Sequence, residues 1–300
     1  MAEPNLSKGL IAAVAILAIW SGFIVFSRAG VLDGLSPYDV AALRFMVAGA
    51  LTLPFAAAWW PRHLPLRVQA LLAIAGPGAL YGVMMFAGLV HASAAYGGIF
   101  SNGALPIFTM LMALVVTGLR PRKRQILGAL AIIAGGVLVA WRGLTVEEAG
   151  GDVALGIALF LGASGLIATY IYALKHFQVT PRQALAIVNV PNALIYLPIW
   201  YLFLPSSMAE VPLQTVLAQA AFQGLGPGFL AVMVFAALAF HLGATPTAAV
   251  SAAVPAAAAV LAIPVLGEIP TPLEWAGIAV VTAGLALVLL VREGAKGKTR

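Results

Sequence analysis

The sequence predicts an all-α integral membrane protein with ten transmembrane helices, arranged as two inverted five-helix repeats. Of its 300 residues, 62% are hydrophobic and only 9% are charged, which is more apolar surface than a soluble core can bury. Ten apolar stretches are long enough to cross a bilayer, for which about 20 residues suffice. Landmarks of the first half recur in the same order in the second half, so the chain contains two copies of one unit.

The internal repeat is clearest between residues 72–142 and 222–292. Gly76-Pro77-Gly78 recurs as Gly226-Pro227-Gly228, and the later matches are Pro106 with Pro255, Gly128 with Gly277 and Gly135 with Gly284. We therefore predict a first repeat over residues 1–145 and a second over residues 146–300. Because each copy crosses the membrane five times, the second must be inverted relative to the first. Inverted repeats with a site at their interface are typical of secondary transporters.

The ten predicted spans are helices, because a segment in hydrocarbon has to satisfy every backbone donor internally. A β-barrel is excluded, since the apolar runs are too long and do not alternate with polar residues. The first span resembles a signal peptide, but it is long for one and matches the sixth span, so we predict a helix there too. The spans cover residues 9–29, 37–60, 66–91, 94–118, 124–142, 153–174, 181–204, 212–240, 246–266 and 273–291.

Proline and glycine are frequent inside these spans. Pro77 and Pro106, with their repeat partners, remove backbone hydrogen bonds, and the resulting bends serve either helix rocking or static packing. Gly128, Gly135 and Gly136 of the fifth span, with the matching glycines of the tenth, predict that these two helices pack closely.

The distribution of basic residues predicts that both termini are cytoplasmic. When alternate loops are assigned to one side, the N-terminal side holds all of the 16 Lys and Arg residues except Arg28, Arg44 and Arg142. Because lysine and arginine are retained in cytoplasmic loops, we predict a multi-pass protein of the cell inner membrane, in contact with lipid. The net charge of +6 then reflects topology, and no basic soluble domain indicates nucleic-acid binding.

Several motifs resemble those of the drug/metabolite transporter superfamily and of its EamA family. Residues 19–23 (Ile-Trp-Ser-Gly-Phe) resemble the first-helix motif, and Ser36-Pro37 followed by Ala42-Leu43-Arg44-Phe45 resembles the second-helix motif. Residues 251–255, followed by Leu266-Gly267-Glu268, are similar to the end of the EamA repeat. The resemblance covers essentially the whole chain and implies ten helices, inverted repeats, a central cavity and amino-acid export. The first repeat departs from the pattern at Gly118-Leu119-Arg120, where members often have Gly-Glu, so no role of that glutamate is transferred.

Polar and aromatic residues inside the spans are the candidates for a substrate site. Trp20 lies well inside the first span, unlike the other tryptophans, and is either an ordinary packing residue or a cavity wall. Trp20 and Tyr81 would bury an apolar side chain, and the repeat-related Asn102 and Ser251 would hydrogen-bond amino or carboxylate groups. For every candidate the alternative is a contact that joins two helices. The predicted substrate-binding set is Trp20, Ser21, Tyr81, His91, Asn102, Asn192 and Ser251, with Asn189 and Tyr196 on the same face as Asn192.

Arg44 and Glu268 are predicted as gating or structural charges. A charge at the bilayer centre costs about 2.5–3.5 kcal/mol on insertion scales, so Arg44 needs a partner. A substrate carboxylate is one option, but we predict an ion pair with Asp33, Asp39 or Glu268 on the outer side. No aspartate or glutamate lies deep in a span, so we expect transport to follow the substrate gradient without a carboxylate proton carrier.

These observations predict a secondary transporter that exports aromatic and other neutral amino acids by alternating access. The alternative is an exporter of other small metabolites or of hydrophobic drugs, although a pump for hydrophobic cations should carry a buried glutamate in its first span. An enzyme would need a clustered nucleophile, base or metal, and a channel would need rings of charge or a repeated filter. No catalytic residue, metal site or cofactor is predicted in this cysteine-free chain, and no oligomer is implied.

Overall fold

A computed structural model describes residues 4–145 and 152–290. All regular structure in these two ranges is helical, and ten helices are long and apolar enough to cross a membrane, which confirms the predicted fold class. The repeat boundary predicted between residues 145 and 146 and the tenth-span end at residue 291 lie outside the described residues. The ten helices are α1 (Leu6–Leu32), α2 (Pro37–Trp59), α3 (Leu66–His91), α4 (Ala94–Thr117), α5 (Lys123–Trp141), α6 (Val153–His176), α7 (Pro181–Phe203), α8 (Leu213–Leu242), α9 (Thr245–Leu266) and α10 (Pro272–Leu289).

Three of these helices begin at capping boxes. The side chain of Ser36 accepts from the backbone N–H of Asp39, whose carboxylate accepts from the N–H of Ser36, and Thr180 and Thr271 begin α7 and α10 in the same way. Each cap satisfies two backbone donors that a helix leaves unpaired at its start. Ser36 and Thr180 begin the second helix of each repeat, so their weak sequence match reflects a shared structural device.

Four of the membrane helices contain breaks at mid-membrane depth. In α3, Gly76-Pro77-Gly78 separates the segments Leu66–Ala75 and Ala79–His91. The repeat-related turn of α8, Gly226–Leu230, is π-helical, as are Gly98–Gly103 in α4 and Asn192–Tyr196 in α7. Irregular backbone at this depth is tolerated only where protein or a cavity surrounds it, and π-turns occur frequently at functional sites. The breaks therefore indicate the middle of the bundle as the region to search for a site.

The fifth and tenth helices pack closely through glycines, as predicted. A Cβ atom added at Gly135 would lie 2.7 Å from the carbonyl oxygen of Gly277, and one added at Gly128 would lie 2.7 Å from that of Gly284. Only hydrogen fits at these positions, so the α5–α10 pair is a rigid brace. Gly136 has a different neighbour, because its Cβ would point toward the ring of Phe100 at 3.2 Å.

Helix α2 occupies the centre of the bundle. It packs against α1, α3, α7 and α8, and all residues of its outer part, Asp39 to Phe45, are buried. The predicted substrate-binding residues lie on the first, third, fourth, seventh and ninth helices, so that set leaves this central helix out. We call the membrane side that holds Asn5 the inner side and the opposite side the outer side, following the predicted topology.

Candidate functional site

A single arginine lies at the centre of the bundle. Arg44 is about two turns, or about 10 Å, below the outer end of α2, and only 3% of its surface is exposed. Its guanidinium carbon lies 5.7 Å from the ring centroid of Phe23 on α1 and 5.8 Å from that of Phe45. Its Nε atom is buried and has no hydrogen-bond partner among the described residues. The guanidinium therefore lies close to two aromatic rings, and its Nε–H is available to donate a hydrogen bond to a ligand.

The hydroxyl groups of two tyrosines lie near this guanidinium, and a serine hydroxyl lies beside one of them. The phenols of Tyr81 on α3 and Tyr170 on α6 lie within electrostatic range of Arg44, and Tyr81 lies beside the hydroxyl of Ser101 on α4. The ring of Phe23 stacks on that of Tyr81, with centroids 6.3 Å apart. We call Arg44, Tyr81, Ser101 and Tyr170 the central cluster. Tyr170 and Ser101 escaped the sequence prediction, although Ser101 adjoins Asn102 in the glycine-flanked π-turn.

The predicted ion pair between Arg44 and an outer acid is wrong. Among the described residues no carboxylate lies within 4 Å of its guanidinium, and the ion pair found there joins Glu268 to Arg28. Asp39 accepts hydrogen bonds from the indole of Trp200 and the backbone of Ser207, both at 2.9 Å. Asp39 cannot pair with Arg44 because the two residues are five apart on one helix, and their side chains therefore point to different faces.

Trp20 lies one turn from Phe23 on α1 and so extends the aromatic wall toward the inner side. Its ring centroid is 5.1 Å from that of Phe235 on α8. The indole is only partly buried, and its N–H has no hydrogen-bond partner within residues 4–145 and 152–290. Trp20 thus packs against another aromatic ring while its indole N–H has no partner among the described residues and can serve a ligand.

Asn102 and Ser251 lie at comparable depth on two neighbouring helices. The π-turn of α4 packs on α9 where Gly98 meets Pro255, since a Cβ at Gly98 would lie 3.2 Å from the Pro255 Cα. The two helices run in opposite directions, so Asn102 and Ser251 both lie one turn inward of this contact. Ser251 donates to the carbonyl of Thr247 at 3.0 Å, whereas the described structure gives the partly buried amide of Asn102 no hydrogen bond.

Three other predicted site residues do not contribute a polar group to the central cluster. Ser21 and Asn192 use theirs in hydrogen bonds, and His91 lies too far away. Ser21 is buried and donates to the carbonyl of Leu17 in its own helix at 2.7 Å. His91 lies in the last turn of α3, about 15 Å along the helix from Tyr81. Asn192 accepts from the N–H of Ala79 at 2.7 Å and donates to the carbonyls of Ala73 and Val188. These contacts favour the helix-joining alternative for Asn192, whereas the hydroxyl of Ser21 is used within its own helix.

The face of α7 that carries Asn192 joins several helices. Asn189 donates to Thr52 of α2 and to the carbonyl of Gly228 in the broken turn of α8. The phenol of Tyr196 donates to the carbonyl of Tyr38. Because Asn189 and Asn192 each bond to a broken segment, α7 stabilises both interruptions at the Gly-Pro-Gly motifs.

The outer end of the bundle is closed by one ion pair and its hydrogen bonds. Arg28 of α1 binds Glu268 in the α9–α10 loop, with Nε and Oε1 2.9 Å apart, and also donates to the carbonyl of Leu89 at the end of α3. The second oxygen of Glu268 accepts from the N–H of Ala94, the first residue of α4, at 2.9 Å. We call Arg28 and Glu268 the outer pair. A cleft of about 220 Å³ adjoins Glu268 on this side, lined in part by Ser93 and Glu274.

Comparison with known proteins gives a consistent result. The model of the EamA-like transporter family matches residues 7–141 and again residues 154–290, so the chain contains two copies of the family unit. A solved crystal structure shares the fold, with a TM-score of 0.63 at 19% identity over 95% of this chain and 98% of that chain.

Two curated relatives align over nearly their whole length. One, from Bacillus subtilis (strain 168), is described as the uncharacterized transporter YwfM and is 26% identical, with 92% of each chain covered. The other, from Streptantibioticus cattleyicolor, is described as a probable terminal-alkyne amino-acid exporter and is 27% identical, with 99% of this chain and 97% of that protein covered. The protein is thus a multi-pass membrane transporter and not an enzyme, and it belongs to the EamA-like transporter family.

Proposed function

We propose that this transporter exports amino acids, aromatic and other neutral ones, across the cell inner membrane by alternating access. The observation that carries the proposal is the central cluster, where a buried guanidinium adjoins aromatic rings and has no carboxylate partner within residues 4–145 and 152–290. A zwitterionic amino acid presents both matching groups, a carboxylate and an apolar side chain. The name of the Streptantibioticus cattleyicolor relative agrees with this substrate class.

Trp20, Tyr81, Asn102 and Ser251 are the residues that we propose to contact the substrate beside Arg44. Burial of an apolar side chain against Trp20 and Tyr81 would contribute about 1.5–3 kcal/mol at most. The free amide of Asn102 would bind the amino or carboxylate group that all amino acids share. The alternative, export of hydrophobic cations, is disfavoured because a buried unpaired arginine repels a second positive charge.

Alternating access is supported by how the helices pack on the two sides. The outer pair links α1, α3, α4 and the α9–α10 loop. The π-turn of α4 packs on both α9 and α6, whereas the inner segment, Leu105–Thr117, packs mainly on α6. Because Arg44 and Tyr81 are buried in this arrangement, helices must move apart before a substrate reaches them, and the broken turns of α3 and α8 are suited to that movement.

Transport by purified protein in liposomes tests the proposed function. We expect uptake of labelled phenylalanine to be driven by an opposing gradient of unlabelled phenylalanine, with methionine, tryptophan and threonine as competitors. Trp20→Ala should lower phenylalanine uptake more than threonine uptake, because it removes apolar surface that only the larger side chain covers. Absence of exchange for every amino acid in folded, reconstituted protein would refute the proposed substrate class.

The proposed orientation, with both termini cytoplasmic, has its own test. A reporter that is active only in the cytoplasm should work when fused after Arg300 and should be silent when inserted in the 146–150 loop, because basic residues are retained inside. A second reporter that is active only outside the cytoplasm serves as the control at both positions. The opposite pattern would contradict the orientation and the direction of export.

A further inference from the structure

We infer that Arg44 is the residue that binds the substrate carboxylate, so that a free carboxylate is the feature that this transporter requires of its cargo. This inference rests on the proposed function and names its recognition element. The neighbours that the structure gives Arg44 are two aromatic rings and hydroxyl groups, and among the described residues no carboxylate lies within 4 Å.

The energetic argument starts from the cost of an unpaired charge. Arginine remains protonated in proteins, so burial cannot neutralise it. A buried ion that lacks a counter-ion is strongly destabilising, and the rings of Phe23 and Phe45 offset only part of that cost. An anion that enters the bundle and pairs with this buried charge would therefore bind with a favourable free energy.

The geometry of the guanidinium suits the carboxylate that an amino acid presents. Its planar fork binds two carboxylate oxygens at once, and the Nε atom of Arg44 is a buried donor without a partner in the part of the chain that the structure describes. The phenols of Tyr81 and Tyr170 lie on neighbouring helices around the same charge. These hydroxyl groups can donate hydrogen bonds to a bound carboxylate. They are uncharged, however, so they cannot serve as the counter-ion of Arg44.

The position of Arg44 also determines where the side chain of a bound amino acid would lie. Phe23 contacts both the guanidinium and the ring of Tyr81, and Trp20 follows one turn inward on the same helix. A carboxylate held at Arg44 would therefore leave the rest of an amino acid beside the aromatic wall. The amino group would lie near hydroxyl and amide groups, since no described acid is present at the cluster to bind it.

The test uses four ligands that differ only in the groups on one carbon skeleton: phenylalanine, phenylalaninamide, 3-phenylpropanoate and phenethylamine. Each is measured for thermal stabilisation of the purified full-length protein, because a ligand that binds the native state raises its melting temperature. Each is also measured as a competitor of phenylalanine exchange in liposomes. We expect the two carboxylates to stabilise and compete, and the amide and the amine to be weaker by roughly 10- to 100-fold, as for loss of a charge-assisted hydrogen bond.

Substitutions test whether Arg44 is the residue that causes the preference for the carboxylate over the amide. Arg44→Gln should abolish the difference between phenylalanine and its amide, and Arg44→Lys should retain part of it, because lysine keeps the charge and loses the fork. Arg182→Gln is the matched control, since it removes an exposed arginine of α7 and should change nothing.

Equal affinity of the wild type for acid and amide would overturn the inference, and this result does not depend on the folding of any variant. A preference for the acid that persists in Arg44→Gln would overturn it as well, while leaving amino-acid export intact. Carboxylate-dependent stabilisation that is lost in Arg44→Gln, without any exchange in liposomes, would support the anion site and refute the proposed function instead.

Discussion

Replacing Asn192 by alanine is expected to destabilise the protein, whereas replacing Asn102 by alanine should leave stability unchanged and lower transport of every amino acid. The two asparagines form a matched pair, since both lie on π-turns at mid-membrane depth and both are predicted substrate contacts. The difference lies in their partners. The side chain of Asn192 bonds Ala73, Ala79 and Val188, whereas the side-chain amide of Asn102 bonds no described residue.

The expected magnitude follows from those bonds. Asn192→Ala leaves the N–H of Ala79 and the carbonyl of Ala73 without their partner, at a cost of about 1–3 kcal/mol for each unsatisfied group. Ala79 begins the segment of α3 that carries Tyr81 two residues later, so the central cluster should be disturbed too. Thermal unfolding in detergent and phenylalanine exchange in liposomes measure both effects. A stable Asn192→Ala protein, or an Asn102→Ala protein with normal exchange, would contradict the assignment.

The helical framework was predictable from the sequence because it depends on length, hydropathy and local signals. Ten apolar runs became ten helices, and the Ser36, Thr180 and Thr271 starts are capping boxes that neighbouring residues complete. The glycine contacts between α5 and α10 were also predictable, since matched glycines at helical spacing leave backbone exposed to a partner. All of these features are encoded within a few turns of chain.

The partners of the charged and amide side chains were not predictable in the same way. A span position gives the depth of a residue, but it does not give the direction in which its side chain points. Arg28 and Arg44 are both outer-half arginines, and only the packing of α1 against the α9–α10 loop decides that Arg28 binds Glu268. The same ambiguity hid Tyr170, whose role depends on α6 packing toward the centre.

One clue to the central position of α2 was nonetheless present. The helix carries Asp39, Arg44 and Thr52 within one span, and such groups are costly against lipid. A span that keeps a carboxylate and a guanidinium must be shielded by other helices, and all three of these side chains are buried. Polar content therefore indicates which span is enclosed, even though it does not identify the enclosing helices.

Breaking the outer pair is expected to open the outer side and to slow transport. Glu268→Ala removes the ion pair with Arg28 and the acceptor for the N–H of Ala94. The two side chains are 16% and 22% exposed, so solvent screens part of the cost of about 3–5 kcal/mol that follows when one partner of a fully buried pair is removed. We take about 1–3 kcal/mol, which corresponds to roughly a 5- to 150-fold shift between closed and open populations.

The absence of native cysteine makes this shift directly measurable. Ala92, at the end of α3, is 5% exposed, and a cysteine placed there should react slowly with a membrane-impermeant maleimide added outside. The rate should rise roughly tenfold in Glu268→Ala and in Arg28→Met, and the double variant should react much less than a hundredfold faster, since the two residues share one ion pair. Glu210→Ala, an exposed outer acid without a described side-chain bond, should leave the rate unchanged. Equal labelling in all variants would mean that the outer pair is only a surface contact, and closure would then have to come from the packing of α1 and α4 on α9.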